Sequence, residues 1–280
     1  MEGDGGITGK IVPEHCRSKY TLSAALPGCG LIACLFFAAC GPRYDDAAEL
    51  ERQGRALAAA AEYGRFALKE PADPRAPEAL LKAGRLYAEK LCLCAQSRPL
   101  LERLVRNYPE FKVPEADFRL IFVCPDYFPS GAGRSWVYGD SQTLGRNARR
   151  ELLVTGAALY AGEKLVSRRP LGYYFSGRAF YERQGGFDTI ILSYPLEKGK
   201  TWTSRGPEGP LEFSVEETGL RVKVKAGEFA DCVKVRRRVP GRPSWILDYY
   251  APWTGKVATA AAGDGYEHRV MELLTYDEKK

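Results

Sequence analysis

The sequence predicts an α+β protein in which helical hairpins come first and a mostly antiparallel β domain follows. Two observations lead to this prediction. Over residues 45–123, apolar residues recur three, four or seven positions apart, as they do on one face of a helix. From residue 124 to residue 280, apolar and polar residues alternate, and glycine, tyrosine, tryptophan and valine become frequent, as is typical of half-buried strands and their turns.

Composition excludes several classes of function. The chain has 280 residues, of which 45% are apolar and 27% charged, and this is the composition of a globular protein with a substantial core. A net charge of +6 is too small and too widely spread to indicate nucleic-acid binding. His15 and His268 are its two histidines, which leaves little basis for a histidine metal site or for Ser-His-Asp catalysis. We therefore expect no enzymatic activity, no catalytic residue and no metal ligand.

The first segment has the order of a signal peptide. Arg17 and Lys19 precede an uncharged run over residues 20–42, whose apolar centre is residues 31–37. An uncleaved transmembrane helix is the alternative, because the run is long enough to span a bilayer. Pro27 and the glycines that follow it favour the signal peptide, since they are poor helix formers.

The uncharged run ends in Ala38, Ala39, Cys40 and Gly41, and this ending resembles the lipobox of bacterial lipoprotein signals. The resemblance implies cleavage between Ala39 and Cys40, and attachment of diacylglycerol and an acyl lipid to Cys40, which would anchor the protein stably to a membrane. No other cofactor is expected. Glycine rather than aspartate at position 41 implies an outer-membrane lipoprotein facing the periplasm, if the organism has two membranes. Residues 1–39 would be the signal peptide and residues 40–44 the linker to the anchor.

The remaining cysteines have two interpretations. After cleavage they are Cys40, Cys92, Cys94, Cys124 and Cys232, in a compartment that permits disulfides. They are either small buried apolar residues or include one disulfide, for example between Cys94 and Cys124. Cys92 and Cys94 lie two apart in a helical pattern, so they point away from each other and cannot bind one metal.

Four helices are expected in residues 45–123. The first opens at Asp45 and ends before Pro71, and the second begins near Pro77. The third covers about residues 95–107, and a short fourth covers residues 114–123. Small residues would lie where the helices cross.

One part of this region resembles the tetratricopeptide repeat. The matching positions are Leu80, Gly84, Tyr87, Leu101, Leu104 and Pro109. The resemblance implies two antiparallel helices that approach closely at Gly84. A small helical bundle without repeats is the alternative.

The β domain contains an internal repeat. Residues 129–136 and 195–202 each have a proline-led turn, a glycine and the start of a strand that carries a tryptophan, Trp136 in one copy and Trp202 in the other. We interpret the repeat as a duplicated β unit in which each tryptophan points into a core between sheets.

Alternation also predicts a hairpin over residues 211–225. Val215 would lie opposite Val222 if the chain turns at Thr218 and Gly219, with apolar residues on one face and opposite charges on the other.

A basic stripe follows on the next strand. Lys234, Arg236 and Arg238 share one face of the strand, while Val233, Val235 and Val239 point the other way. They either contact anionic lipid headgroups or form a solvated face paired with glutamates.

Two segments resemble signatures of uncharacterised bacterial envelope proteins, namely residues 224–232 and residues 249–257. That family has a Pro-Ala-Gly-x-Phe turn and a Tyr-Tyr-Ala-Pro-Gly-x-Gly segment, and here Lys225 replaces the proline and Trp253 the first glycine. The resemblance implies a curved antiparallel sheet, a half-barrel or a sandwich, and brings no established activity.

These observations favour a non-enzymatic protein-interaction or scaffold module, held at a membrane by its lipid and bound to an envelope protein or peptide. The alternative is a carrier of a hydrophobic ligand, an acyl chain or a peptide, in the β domain. A carrier needs an apolar cavity of roughly several hundred Å³.

Overall fold

The computed structural model describes residues 42–131, 133–153 and 155–278, and it shows an α+β chain. The proposed signal peptide, with Ala39 and Cys40, lies outside these residues. The chain divides into a helical unit that ends at Pro125 and a β unit that begins at Asp126. Among the described residues, no helix is both long enough and apolar enough to cross a membrane.

The helical unit has its elements close to the predicted positions. The helices are α1 (Tyr44–Arg52), α2 (Ala56–Lys69), α3 (Ala76–Arg85), which a π-helical turn (Leu86–Lys90) extends, α4 (Cys94–Asn107) and α5 (Glu115–Leu120). The predicted first helix is divided into α1 and α2. Gly54, between them, has a φ of +71°, a conformation that commonly ends a helix.

Consecutive helices from α1 to α4 pack against one another. Their shared core includes the fully buried side chains of Tyr63, Leu80, Leu101 and Leu104. Leu80, Leu101 and Leu104 come from the apolar faces that the three- and four-residue spacing predicted. On α2 the buried face instead carries Tyr63 and Phe66, while Leu57 and Leu68 are exposed.

The β unit consists of antiparallel strands. They are β1 (Arg134–Asp140), β2 (Ala148–Leu153), β3 (Gly156–Ala161), β4 (Lys164–Pro170), β5 (Gly172–Ser176), β6 (Ala179–Gln184), β7 (Phe187–Ser193), β8 (Thr201–Gly206), β9 (Gly209–Val224), β10 (Gly227–Arg238), β11 (Ser244–Ala251), β12 (Gly255–Gly263) and β13 (Tyr266–Glu278). Ten of them form one sheet in the order β4-β3-β2-β1-β13-β12-β11-β10-β9-β8, and β5-β6-β7 form a second sheet.

Aromatic side chains form the core of the β unit. The ring centroid of Phe128 lies 5.2 Å from that of Trp136, 4.8 Å from that of Tyr173 and 5.0 Å from that of Phe180. The two tryptophans of the internal repeat differ in their surroundings. Trp136 is fully buried, whereas Trp202 is half-buried on β8 and donates a hydrogen bond to a carbonyl of β7.

The predicted hairpin at Thr218 and Gly219 is wrong. Residues on both sides of Gly219 belong to one strand, β9, and the chain turns at residues 225–226. Val215 lies opposite Val235 rather than Val222. Gly219 has a φ of +73° and lies where the pairing of β9 with β10 changes register, so the change in alternation marks a β-bulge.

β4 is an edge strand of the larger sheet. In the described part of the chain it pairs with β3 and with no other strand. Lys164, Arg168 and Pro170 lie on it, and the pairing of β3 with β4 is irregular between Leu159 and Tyr160. Charge, proline and bulges are the features with which sheet edges avoid further pairing.

Candidate functional site

The β unit encloses a cavity of about 240 Å³. Its walls include residues of β1, β2 and β4 near one end of the ten-stranded sheet and of β9 and β10 near the other. Strands far apart in the sheet order line one cavity, so the sheet curves around it. The strands β5, β6 and β7 supply the remaining side of the cavity.

A buried cluster of charges lies on this wall. The Asp248 carboxylate is 6% exposed and lies 3.1 Å from Nζ of Lys256 and 3.7 Å from Nε of Arg237. It also accepts a hydrogen bond from Oγ1 of Thr259 at 2.8 Å. Burial by itself raises the pKa of Asp248, but the two cations and the hydroxyl outweigh it, so the pKa lies below its usual value. Asp248 is therefore ionised at neutral pH.

Strand register brings this cluster together. Val235 of β10 lies opposite Asp248 of β11, and Asp248 lies opposite Thr259 of β12. Because alternate residues of a strand share a face, Arg237 lies on the same face as Val235. Lys256 reaches Asp248 from the start of β12.

Tyrosine hydroxyls add neutral polar groups to the cavity. Tyr173 donates a hydrogen bond to Oε2 of Glu182 at 2.8 Å, and Tyr138 donates one to the carbonyl of Lys256 at 3.0 Å. Burial raises the pKa of Tyr138, Tyr173 and Tyr250 well above the usual value. All three phenols stay protonated at neutral pH. Tyr138 and Tyr173 already donate their hydroxyl hydrogens within the protein, so toward a ligand their oxygens can only accept.

Two further cations line the cavity, Arg150 on β2 and Arg169 on β4. Arg150 is half-buried and Arg169 is exposed. Within the residues that the structure describes, neither guanidinium forms a hydrogen bond or an ion pair. The cavity thus presents charged and phenolic groups that can bind a small polar molecule.

The basic stripe predicted on β10 is paired with carboxylates. Nζ of Lys234 lies 3.4 Å from a carboxylate oxygen of Glu217, Nε of Arg236 lies 3.2 Å from Glu216, and Nε of Arg238 lies 3.9 Å from Glu212. This is the solvated, paired face, the second of the two interpretations.

The cysteines resolve into different environments. Cys94 and Cys124 form a disulfide within the helical unit, with their Cα atoms 5.3 Å apart. Cys232 is fully buried, and burial raises the pKa of its thiol to about 12. This thiol is protonated and is no nucleophile at neutral pH. In the described ranges, no group of three or more His, Cys, Asp or Glu side chains is placed to hold a metal ion.

No protein-family model matches the chain, and no curated protein matches it. Two solved structures show a weak likeness. One is a candidate exported protein with a YmcC-like fold from Bacteroides fragilis, at 12% identity and a TM-score of 0.32, over 55% of this chain and 100% of the other. The second is a candidate lipoprotein from Parabacteroides distasonis, at 12% identity and a TM-score of 0.30, over 54% of this chain and 98% of the other. The function proposed below rests on the residues of this chain.

Proposed function

We propose that the chain is a lipoprotein of the bacterial cell envelope that binds a small ligand without catalysing a reaction. The lipobox ending at Cys40 supports the location, and glycine at position 41 favours the outer membrane, with the folded units facing the periplasm. Acyl chains on Cys40 would hold the protein at the membrane.

The cavity of the β unit is the observation that carries the binding role. An enclosed space with converging polar groups is the usual form of a small-molecule site. The carrier hypothesis is thereby favoured in a modified form. Arg237, Asp248 and Lys256 on the wall favour a ligand with a polar group over an unsubstituted acyl chain, because a hydrocarbon cannot form hydrogen bonds with them.

The helical unit supports a second role, as the protein-interaction or scaffold module. Its support is that consecutive helices pack against one another and that the small residue Gly84 faces Leu101 of α4 closely. We propose that this unit binds an envelope protein or peptide, which deletion of residues 45–123 would release in a pulldown from solubilised membranes.

The location is tested by metabolic labelling with radioactive palmitate. Wild-type protein and a Cys232→Ala control should incorporate label and fractionate with membranes, whereas Cys40→Ala should do neither. Equal labelling of all three proteins, or an intact N-terminal segment in the mature protein by mass spectrometry, would contradict the anchor.

The binding role is tested with the full-length lipidated protein purified in detergent. Small molecules retained by the protein are extracted and identified by mass spectrometry. Ile191→Trp fills the cavity from β7, and Leu165→Trp places the same side chain at an exposed position of β4. We expect a compound from wild type and Leu165→Trp that is absent from Ile191→Trp. Extracts without any specific compound, or identical extracts from all three, would refute a ligand in this cavity.

A further inference from the structure

Building on the proposed binding role, we infer that Arg150 and Arg169 recognise the carboxylate of a small organic acid whose apolar body occupies the cavity. The two arginines lie on neighbouring parts of one face. Arg150 lies opposite Leu159 of β3, while Arg169 lies opposite Ala157, two residues away on the same strand. Residues two apart share a face, so both guanidinium groups are directed to the side that lines the cavity.

The lining of the cavity carries four cations and three carboxylates, a surplus of one positive charge that a bound anion would balance. Asp248 pairs with both Lys256 and Arg237, and Glu182 accepts the hydrogen bond of Tyr173. Glu208, the third carboxylate on the wall, lies in the turn between β8 and β9, and within the described residues it forms no ion pair with either arginine. The positive charges of Arg150 and Arg169 therefore remain available.

The position of the two arginines suits recognition at the mouth of the cavity. A second depression of about 230 Å³ shares Arg150 and Arg169 with the cavity, so the two residues lie at the boundary between the two spaces. Arg169 is exposed to solvent and Arg150 only in part. The charge of Arg150 also acts on the hydroxyls of Tyr138 and Tyr173, whose pKa it lowers against the larger effect of burial.

The class of ligand follows from the two kinds of group that line the site, the arginines and the apolar side chains. A guanidinium binds a carboxylate through two parallel hydrogen bonds, which a neutral amide cannot reproduce with the same strength. Phe128, Leu152, Ile191 and Leu211 also line the cavity and offer apolar surface for the body of the acid. A volume of about 240 Å³ is below the usual size of drug-binding pockets and limits the ligand to a small acid.

The test uses benzoate, benzamide and inorganic phosphate as probes and isothermal titration calorimetry of the full-length protein in detergent. We expect benzoate to bind the wild type at least tenfold more tightly than benzamide. The double variant Arg150→Gln/Arg169→Gln should weaken benzoate binding at least tenfold. Arg168→Gln, the matched control, removes a guanidinium that does not line the cavity and should leave binding unchanged.

Three outcomes would overturn the inference: benzamide binding as tightly as benzoate, full binding by the double variant, or binding of phosphate but not benzoate. If circular dichroism shows that the double variant does not fold, the single variant Arg169→Gln replaces it in the binding test. Arg169 is exposed, so its substitution should not disturb the fold. A neutral compound extracted from the native protein would contradict the inference that the ligand is an acid, but would agree with the proposed function of binding a small ligand. Extracts without any compound would refute the proposed function itself.

Discussion

Gly84 of α3 faces Leu101 of α4 so closely that a Cβ atom on Gly84 would lie 2.5 Å from Cδ2 of Leu101. Leu101 is fully buried. We expect Gly84→Ala to destabilise the helical unit by about 1–3 kcal/mol, the usual cost of overpacking a core. Urea unfolding followed by circular dichroism measures this loss.

Gly64 of α2 provides the control for that substitution, because the nearest atom to its Cβ position is 3.8 Å away, an ordinary contact. Gly64→Ala should stabilise the unit by up to about 1 kcal/mol, since alanine is the better helix former. Equal effects of the two substitutions would contradict the close packing of α3 on α4.

Trp253 occupies a backbone conformation that favours glycine, with a φ of +61°. Trp253→Gly and Trp253→Ala both remove the indole and differ only in backbone freedom. We expect the glycine variant to be the more stable of the two by about 1 kcal/mol in urea unfolding.

The same pair of substitutions at Trp245, within β11, should show the opposite order, because glycine weakens a regular strand. Alanine more stable than glycine at both positions would show that Trp253 is not strained.

Asp248→Asn should destabilise the β unit by about 3 kcal/mol at pH 7, because Lys256 and Arg237 lose their buried counter-charge. The pKa of Asp248 is lower in the folded state than in the unfolded state. Its stabilising contribution is therefore present above the unfolded pKa of about 3.9 and is lost as the pH falls through the folded value.

Urea unfolding at pH 7, 5 and 3 measures this dependence. The difference between wild type and Asp248→Asn should persist at pH 5 and begin to shrink by pH 3. Asp188→Asn, which removes an exposed partner of Arg183, should cause a much smaller loss. A difference that grows on acidification would contradict an ionised Asp248.

The disulfide between Cys94 and Cys124 closes a loop with a sequence separation of 30. A combined Cys94→Ser/Cys124→Ser variant should lose about 3–4 kcal/mol of stability, since the unfolded chain gains freedom. Alkylation of denatured, unreduced protein should label Cys232 and leave Cys94 and Cys124 unlabelled. Label on either of the last two would disprove the bond.

The helices could be predicted from sequence because their spacing is a local property. The course of β9 could not be, since a turn and a bulge leave the same local signal. Each interrupts the alternation of apolar residues and places a glycine at positive φ, as at Gly219. Pairing with β8 and β10, which lie far along the chain from parts of β9, decides between them.

The charged cavity wall was missed, although the sequence contains a signal for it. Arg237 has the same parity as Val235 and Val239, so alternation places it on the apolar face. Asp248 stands between Leu247 and Tyr249, in a strand whose other residues after Ser244 are aliphatic or aromatic. Each charged residue, taken alone, looks like a single exception to the apolar pattern of its strand. Their partnership depends on the pairing of β10 with β11 and β12, which periodicity does not reveal.

The protected edge strand β4 affects how densely copies of the protein can be packed without aggregating. Proteins that share a bilayer surface, as proposed for this one, meet their own copies far more often than molecules in free solution. An unprotected edge strand there would pair with the same strand of another copy and start aggregation. Lys164, Arg168 and Pro170 oppose such recruitment, so many copies can share a small area of membrane and remain separate.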